Sequence, residues 1–327
     1  MLGAAHNAKR FSNELSRFGV EVDGYAVDEK YFQPNKKFLG KPVYNFEELS
    51  KQHDKYVFVL GTTDEERAIK FFKDKKIIRY VLTWELATID YEYISARRYE
   101  FADTFEILSD DLSRQTMIAY LKAKITGNPS YNFPVYDPNQ YFNELTSTLN
   151  GGGYVDCGAY NGDTVEKFIN WSGGNYTKVF AIEADKNNFD ALEKFVREKN
   201  YRDVSTLNCG VWNERTKITF SSDNETSSSV SDEGNVTIDA EKIDDIVGDT
   251  KIGFIKMDIE GSELNALRGA TETIKRDKPM LAICAYHKAE DLITIPQFIK
   301  SLHADYKLYL RKHTCIAETE LVLYAIS

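Results

Sequence analysis

Two hydrophobic rhythms alternate along this chain: short apolar runs that predict strands, and stretches with apolar residues three and four apart that predict helices. Ala8, Phe11, Leu15 and Phe18 mark a helical stripe, while Val22 to Val27, Tyr56 to Leu60 and Ile77 to Leu82 read as strands. Gly40-Lys-Pro-Val43 reads as a turn into a further short strand, and Glu47 to Lys51 as a short helix. Strands alternating with helices imply a parallel sheet, so residues 1–90 are expected to form a small Rossmann-like unit. Its front is unusual, because the chain starts almost on the turn Gly3-Ala-Ala-His-Asn-Ala. Either the first strand is missing or an upstream start was lost, and a structural or docking role is favoured over a working nucleotide site.

Residues 91–150 read as a helical connector that packs on a second domain, 151–327. Tyr91 to Phe105 and Leu112 to Ile125 have helical spacing, Gly127 to Ser130 and Pro134 to Pro138 are turn-rich, and Tyr141 to Leu149 is amphipathic. Gly151 to Gly153 punctuates the domain boundary. Beyond it, strands are expected at Tyr154–Cys157, Val179–Glu183, Val204–Cys209, Phe254–Asp258, Met280–Tyr286, Tyr306–Leu310 and Leu321–Ile326. Helices are expected at Thr164–Asn170, Phe189–Asn200, Glu263–Lys275 and Asp291–Leu302. Between the third and fourth strands the crossover helix is replaced by short strands, Lys217–Ser221 and Asn235–Asp239, around a polar loop, Ser222 to Gly234. That loop is expected to be a mobile lid. The last two strands need only a short connection and should be antiparallel.

Composition narrows the class. A chain of 327 residues exceeds the size at which single cores stop growing, so two domains are expected. No apolar run approaches the ~20 residues of a membrane span, and no signal-peptide layout opens the chain, so a cytoplasmic protein is expected. Cys157, Cys209, Cys284 and Cys315 are too scattered for a metal knuckle and read as reduced thiols. A net charge of −10 argues against a nucleic-acid partner.

Four segments carry the chemistry. In YVDCGAYNGDT (154–164) a strand ends at Asp156, Gly158 and Gly162 let the backbone approach a ligand, and Asp163 opens a helix. The pattern DxGxxxGD differs from the GxGxxG that cradles a pyrophosphate. Its acids would repel a pyrophosphate but tolerate a zwitterionic sulfonium. In VFAIEAD (179–185) Glu183 stands at a strand tip about 20 residues past the turn, the place of a carboxylate that accepts ribose hydroxyls. Asp185 reads as a helix cap. In FIKMDIEGSE (254–263) Asp258 and Glu260 lie at the C-terminal end of the fourth strand. They could activate a hydroxyl, bind a divalent cation together or position a substrate, whereas Glu263 reads as an ordinary charge in a first helical turn. His287, after the fifth strand, is a candidate base. Arg311, Lys312 and His313 read as a solvated basic rim.

Together VDCGAYNGDT, FAIEAD, FIKMDIEGSE with LRGA, and AYH…ED…YKLYLRKH resemble the FkbM family of S-adenosylmethionine-dependent methyltransferases, over about residues 151–327. The resemblance implies an α/β class I methyltransferase sheet, mostly parallel with an antiparallel last strand. It also implies O-methylation, typically of sugars in polysaccharides or of natural products. It makes Asp156, Gly158, Gly162 and Glu183 cofactor positions, and Asp258 with Glu260 the active edge. Asp163 and Cys209 complete the expected cofactor set, and His287 the catalytic one. Tyr160 and Asn161 are bulkier than the family's usual turn residues, and CGVW (209–212) is unusual beside the adenine pocket so implied. The first domain looks similar to Rossmann-like domains that precede such methyltransferases and sugar acyltransferases. Two rivals remain: a non-catalytic protein retaining this fold, and a nicotinamide-dependent sugar oxidoreductase, which the glycine spacing and acidic turn disfavour.

Overall fold

The computed structural model describes residues 1–4, 6–17, 19–59, 80–81, 89–146, 151–222, 228–230, 236–315 and 319–327. The chain divides into two compact units. One comprises Met1–Ala96, Gln115–Tyr136 and Thr314–Thr319; the other comprises Arg97–Arg114, Asp137–His313 and Glu320–Ser327. The helical segment after residue 90 is thus shared: Tyr91–Ala96 belongs to the first unit, Arg98–Ile107 to the second, and Asp111–Thr126 contributes to both.

In the first unit His6–Arg17 is a helix, and Tyr25–Val27 pairs in parallel with Lys41–Asn45. Phe58–Val59 pairs in parallel with Tyr80–Val81, and the rest of the strand expected at Ile77 to Leu82 lies outside the described residues. Among the described residues no full strand precedes the helix. Leu2 nevertheless bridges Ala26 in parallel, and its N–H donates to the Val59 carbonyl at 2.7 Å.

The second unit is built on a seven-stranded sheet. Its strands are β1 (Gly153–Cys157), β2 (Val179–Ile182), β3 (Val204–Leu207), β4 (Ile252–Met257), β5 (Met280–Cys284), β6 (Lys307–Lys312) and β7 (Leu321–Ile326), in the order β6-β7-β5-β4-β1-β2-β3. All pair in parallel except β7, which is antiparallel to both β5 and β6. Every residue of β1 and β2 is buried, as expected of central strands covered on both faces. Helices α1 (Asp163–Trp171), α2 (Lys186–Lys199), α3 (Glu263–Arg268), α4 (Thr271–Asp277) and α5 (Asp291–Leu302) make the crossovers. On one face Tyr154 stacks on Phe168 with centroids 4.1 Å apart, and Phe142 packs edge-on against both Tyr154 and Phe254.

Three expectations need correcting. The helix foreseen over Glu263–Lys275 is two, α3 and α4, and Gly269 between them lets the Trp212 carbonyl come where a Cβ would collide with it. The chain turns at Gly269-Ala270, where the Gly269 carbonyl accepts from the Asp244 N–H at 2.9 Å. The amphipathic helix foreseen over Tyr141–Leu149 is a single 3₁₀ turn, Glu144–Thr146, with residues 147–150 outside those described. Between β3 and β4 the described residues form four strands, in the order Ser228–Val230, Thr216–Ser222, Val236–Glu241, Gly210–Val211, antiparallel except for the last pair, which is parallel. The foreseen lid, Ser222 to Gly234, is thus partly strand; its residues 223–227 and 231–234 lie outside the described set. Among the described residues no helix is long and apolar enough to cross a membrane.

Candidate active site

The site is assembled where β1, β4 and β5 end. Asp156, on β1, is fully buried, and its Oδ1 lies 3.1 Å from the Lys256 ammonium on β4. The Thr164 hydroxyl donates to its Oδ2 at 2.5 Å. Burial lifts the Asp156 carboxyl above its usual range, and Lys256 and Thr164 pull against that. Lys256 also donates to the Gly158 carbonyl at 2.7 Å. Burial alone would lower its pKa, but the Asp156 and Asp258 charges outweigh burial and raise it. A buried ion pair thus fixes the turn from below.

The glycines of the turn serve protein contacts. Gly158 (φ +80°) faces the Asp258 carbonyl so closely that a Cβ would collide with it. Gly162 (φ +95°) caps α1, and a Cβ there would come 2.6 Å from Phe195 of α2. Both allow close approach, but of strand end and helix. Asp163 is on the surface of α1, paired with Lys167 at 2.9 Å. Tyr160, at φ +47°, is 53% exposed, and its N–H donates to Glu183 Oε2 at 2.9 Å.

Glu183 stands at the tip of β2, only 8% exposed. Its other oxygen accepts from the Asp185 N–H at 2.8 Å. Burial raises its pKa, and these two N–H bonds oppose the rise. The carboxylate is therefore held in one orientation with lone pairs to spare, since it offers about four acceptor positions. Asp185 caps α2, accepting from the N–H groups of Asn187 and Asn188. Cys209 is buried, and burial pushes its thiol up to about 11. All four cysteines are buried, and no disulfide joins them.

Past β4 lies an acidic, phenol-lined edge. Asp258 Oδ2 accepts from the Tyr141 hydroxyl at 2.9 Å, and Oδ1 from the Tyr286 hydroxyl at 3.3 Å. His287 Nε2 is 3.5 Å from Asp258 Oδ1 and 3.6 Å from Glu260 Oε2, and its Nδ1 is 2.8 Å from Glu263 Oε1. Burial raises the Glu260 carboxyl to about 7. Burial would lower His287, but Glu263, Asp258 and Glu260 outweigh it and raise the imidazole to about 9. Tyr141 (φ +65°) and Glu260 (φ +54°) hold left-handed conformations that non-glycine residues avoid, and such strain gathers at functional sites.

The structure brings Asp258, Glu260 and His287 together as foreseen, and sets the turn against them through the Gly158–Asp258 approach. Two readings are overturned. Glu263 is fully buried and holds His287, because the short loop after β4 turns the start of α3 inward. Arg311, Lys312 and His313 are buried too. Arg311 pairs with Asp110 at 2.6 Å, and His313 Nδ1 donates to the Asp137 carbonyl at 2.8 Å. Its Nε2 then accepts from the Tyr324 hydroxyl at 2.7 Å, and that hydroxyl accepts from the Tyr141 N–H at 2.8 Å. Tyr141 was missed because it opens a run read only as an amphipathic helix, and nothing local marks the long-range contact of its hydroxyl with Asp258.

Residues 156–314 match the family model described as "Methyltransferase FkbM domain". Among solved structures, the chain is similar to methyltransferase FkbM from Methylobacillus flagellatus KT, with 26% identity and a TM-score of 0.74 over 99% of this chain and 88% of that one. An rRNA methylase from Streptococcus thermophilus matches at 14% identity and TM-score 0.37, over 55% of this chain and 90% of that one. Aeropyrum pernix fibrillarin with natively bound S-adenosyl-L-methionine matches at 10% and 0.34, over 66% of this chain and 76% of that one. Among curated proteins none matches the chain.

Proposed function

We propose, from the match of residues 156–314 to the methyltransferase FkbM domain, that the chain moves a methyl group from S-adenosylmethionine to a hydroxyl oxygen, on a sugar of a polysaccharide, glycoconjugate or natural product. The choice of a sugar is supported by the family resemblance alone. The observation that carries the rest is the contact of Gly158 with the Asp258 carbonyl, which sets the cofactor turn directly against the acidic edge.

The residues fit the cofactor. Glu183 is an acceptor-only group at the strand tip, oriented by two N–H bonds and able to take both ribose hydroxyls. When bound, S-adenosylmethionine supplies an electrophilic methyl on a sulfonium. Lys256 and Asp156 hold the turn rigid beneath it, so the position of the reacting centre is set before binding. Asp258, fixed by two phenols, presents its carboxylate with that of Glu260 to an incoming hydroxyl. The hydroxyl oxygen bonds to the methyl carbon, the carbon–sulfur pair returns to sulfur, and the hydroxyl proton passes to this carboxylate edge. Positioning supplies much of the rate, because the displacement is in line, and proton removal adds to it.

The test uses S-adenosylmethionine labelled in the methyl group, with cell extract as acceptor mixture. Label in a saccharide or small-molecule fraction as a base-stable methyl ether is the expected result. Label that mild base releases as a methyl ester would overturn the hydroxyl acceptor. Cofactor binding without any transfer would favour the non-catalytic rival.

A further inference from the structure

We propose that Asp258, Glu263 and His287 hold a divalent metal cation at the acceptor edge. Its use in methyl transfer rests on the methyltransferase reading, but its binding does not.

Geometry comes first. The three side chains each offer a ligand atom, and these atoms lie within 4.8 Å of one another. A point about 2.8 Å or less from all three therefore exists, and a contraction of a few tenths of an ångström gives ordinary metal–ligand distances of ~2.0–2.6 Å. The imidazole is the second observation. His287 is nine-tenths buried, yet Nε2 stands off from Asp258 and Glu260 by 3.5 and 3.6 Å. Those separations are too long for good hydrogen bonds but suit two atoms bound to one ion at ~2.1 Å. Nδ1, although 2.8 Å from Glu263 Oε1, makes no well-directed hydrogen bond, and a buried ring nitrogen is rarely left so.

Glu263 supplies the third. It is fully buried, and its Oε2 has no hydrogen-bond partner among the described residues. A desolvated carboxylate oxygen without a partner is costly, and a cation would satisfy it. Charge points the same way. Three carboxylates face one imidazole, while the nearby Lys256 ammonium is engaged with Asp156 and the turn carbonyls. The donor set, two carboxylate oxygens and one imidazole nitrogen, suits a cation of intermediate hardness such as Mn²⁺, with Mg²⁺ and Zn²⁺ as neighbours in preference. Glu260 Oε2, half-exposed beside His287, stands ready as a further ligand. An acceptor oxygen on such a cation would lose its proton more readily.

The test adds Mn²⁺ to the metal-stripped full chain and measures bound ion by electron paramagnetic resonance, with S-adenosylhomocysteine binding measured on the same samples. One Mn²⁺ per chain is expected, with imidazole nitrogen coupling in the electron spin echo of the wild type. Asp258→Asn and His287→Gln should weaken Mn²⁺ by at least about 10- to 100-fold, while Glu193→Gln, on the exposed face of α2, should not. The proposal is overturned if the wild type binds no Mn²⁺, Mg²⁺ or Zn²⁺ at millimolar concentration. Bound Mn²⁺ without nitrogen coupling overturns it too, as does unchanged Mn²⁺ affinity in variants that still bind S-adenosylhomocysteine. Mn²⁺ bound through these residues by a protein indifferent to S-adenosylhomocysteine would leave the cation site standing and remove the methyltransferase reading instead.

Discussion

The Lys256 ammonium lies 3.1 Å from Asp156 Oδ1 with the two side chains 2% and 0% exposed, joining the ends of β4 and β1. Removing one partner of such a pair leaves an uncompensated buried charge and costs ~3–5 kcal/mol. Lys256→Met should therefore lower the unfolding free energy by that order, read as the midpoint in urea. It should also loosen the turn, because the bond to the Gly158 carbonyl goes with it. A midpoint equal to wild type would show that the pair does not hold the turn.

Asp258→Asn should cut kcat by ~10²–10⁴ while the Kd for S-adenosylhomocysteine stays within a few-fold. Tyr141→Phe removes one hydrogen bond to that carboxylate and should lose less, ~1.5–3 kcal/mol of transition-state stabilisation. Steady-state kinetics on a methyl acceptor, beside calorimetry, separate the two effects. Wild-type turnover in Asp258→Asn would remove Asp258 from the reaction.

His313 makes stability depend on pH. Burial, assisted by its Lys312 and Arg311 neighbours and opposed by the bond to the Asp137 carbonyl, holds the imidazole down at about 4, below its ordinary 6.5. The folded state thus binds fewer protons than the unfolded chain between those values. The contribution is complete above pH 6.5 and is lost as pH falls towards 4. Between pH 7 and 4.5 the wild type should lose more of its urea midpoint than His313→Gln, which lacks the titrating group. Equal losses would place the proton elsewhere.

Much of this was legible in the sequence because it is local. β7 (Leu321–Ile326) and α5 (Asp291–Leu302) match their expected spans, since apolar period and flanking polar residues decide both. Glu183 and Asp258 were legible for the same reason, each being the acid that ends an apolar strand. What was hidden depends on contacts far apart in the chain. The break at Gly269 lies where the Trp212 carbonyl, far upstream in the chain, comes too close for a Cβ. RKH (311–313) looks like a basic rim by composition, but Asp110 and Asp137, far upstream in the chain, cover its charge and hydrogen-bonding groups. Glu263 was misread because a carboxylate in a first helical turn is ordinary on a surface, and only the path of the loop after β4 turns it inward to His287.

The central claim, that the turn and the tip of β2 receive S-adenosylmethionine, is tested most directly by titrating S-adenosylhomocysteine into the wild type and Glu183→Ala by calorimetry. Hydrogen bonds to a charged group contribute ~1.5–3 kcal/mol each, so losing two should weaken binding by about 10²–10⁴-fold. Glu183→Gln, which keeps one acceptor oxygen, should lose less. The wild type should bind, and Glu183→Ala should stay folded with its affinity down by that factor. A folded Glu183→Ala that binds within a few-fold of wild type would contradict the assignment of this strand tip to the cofactor.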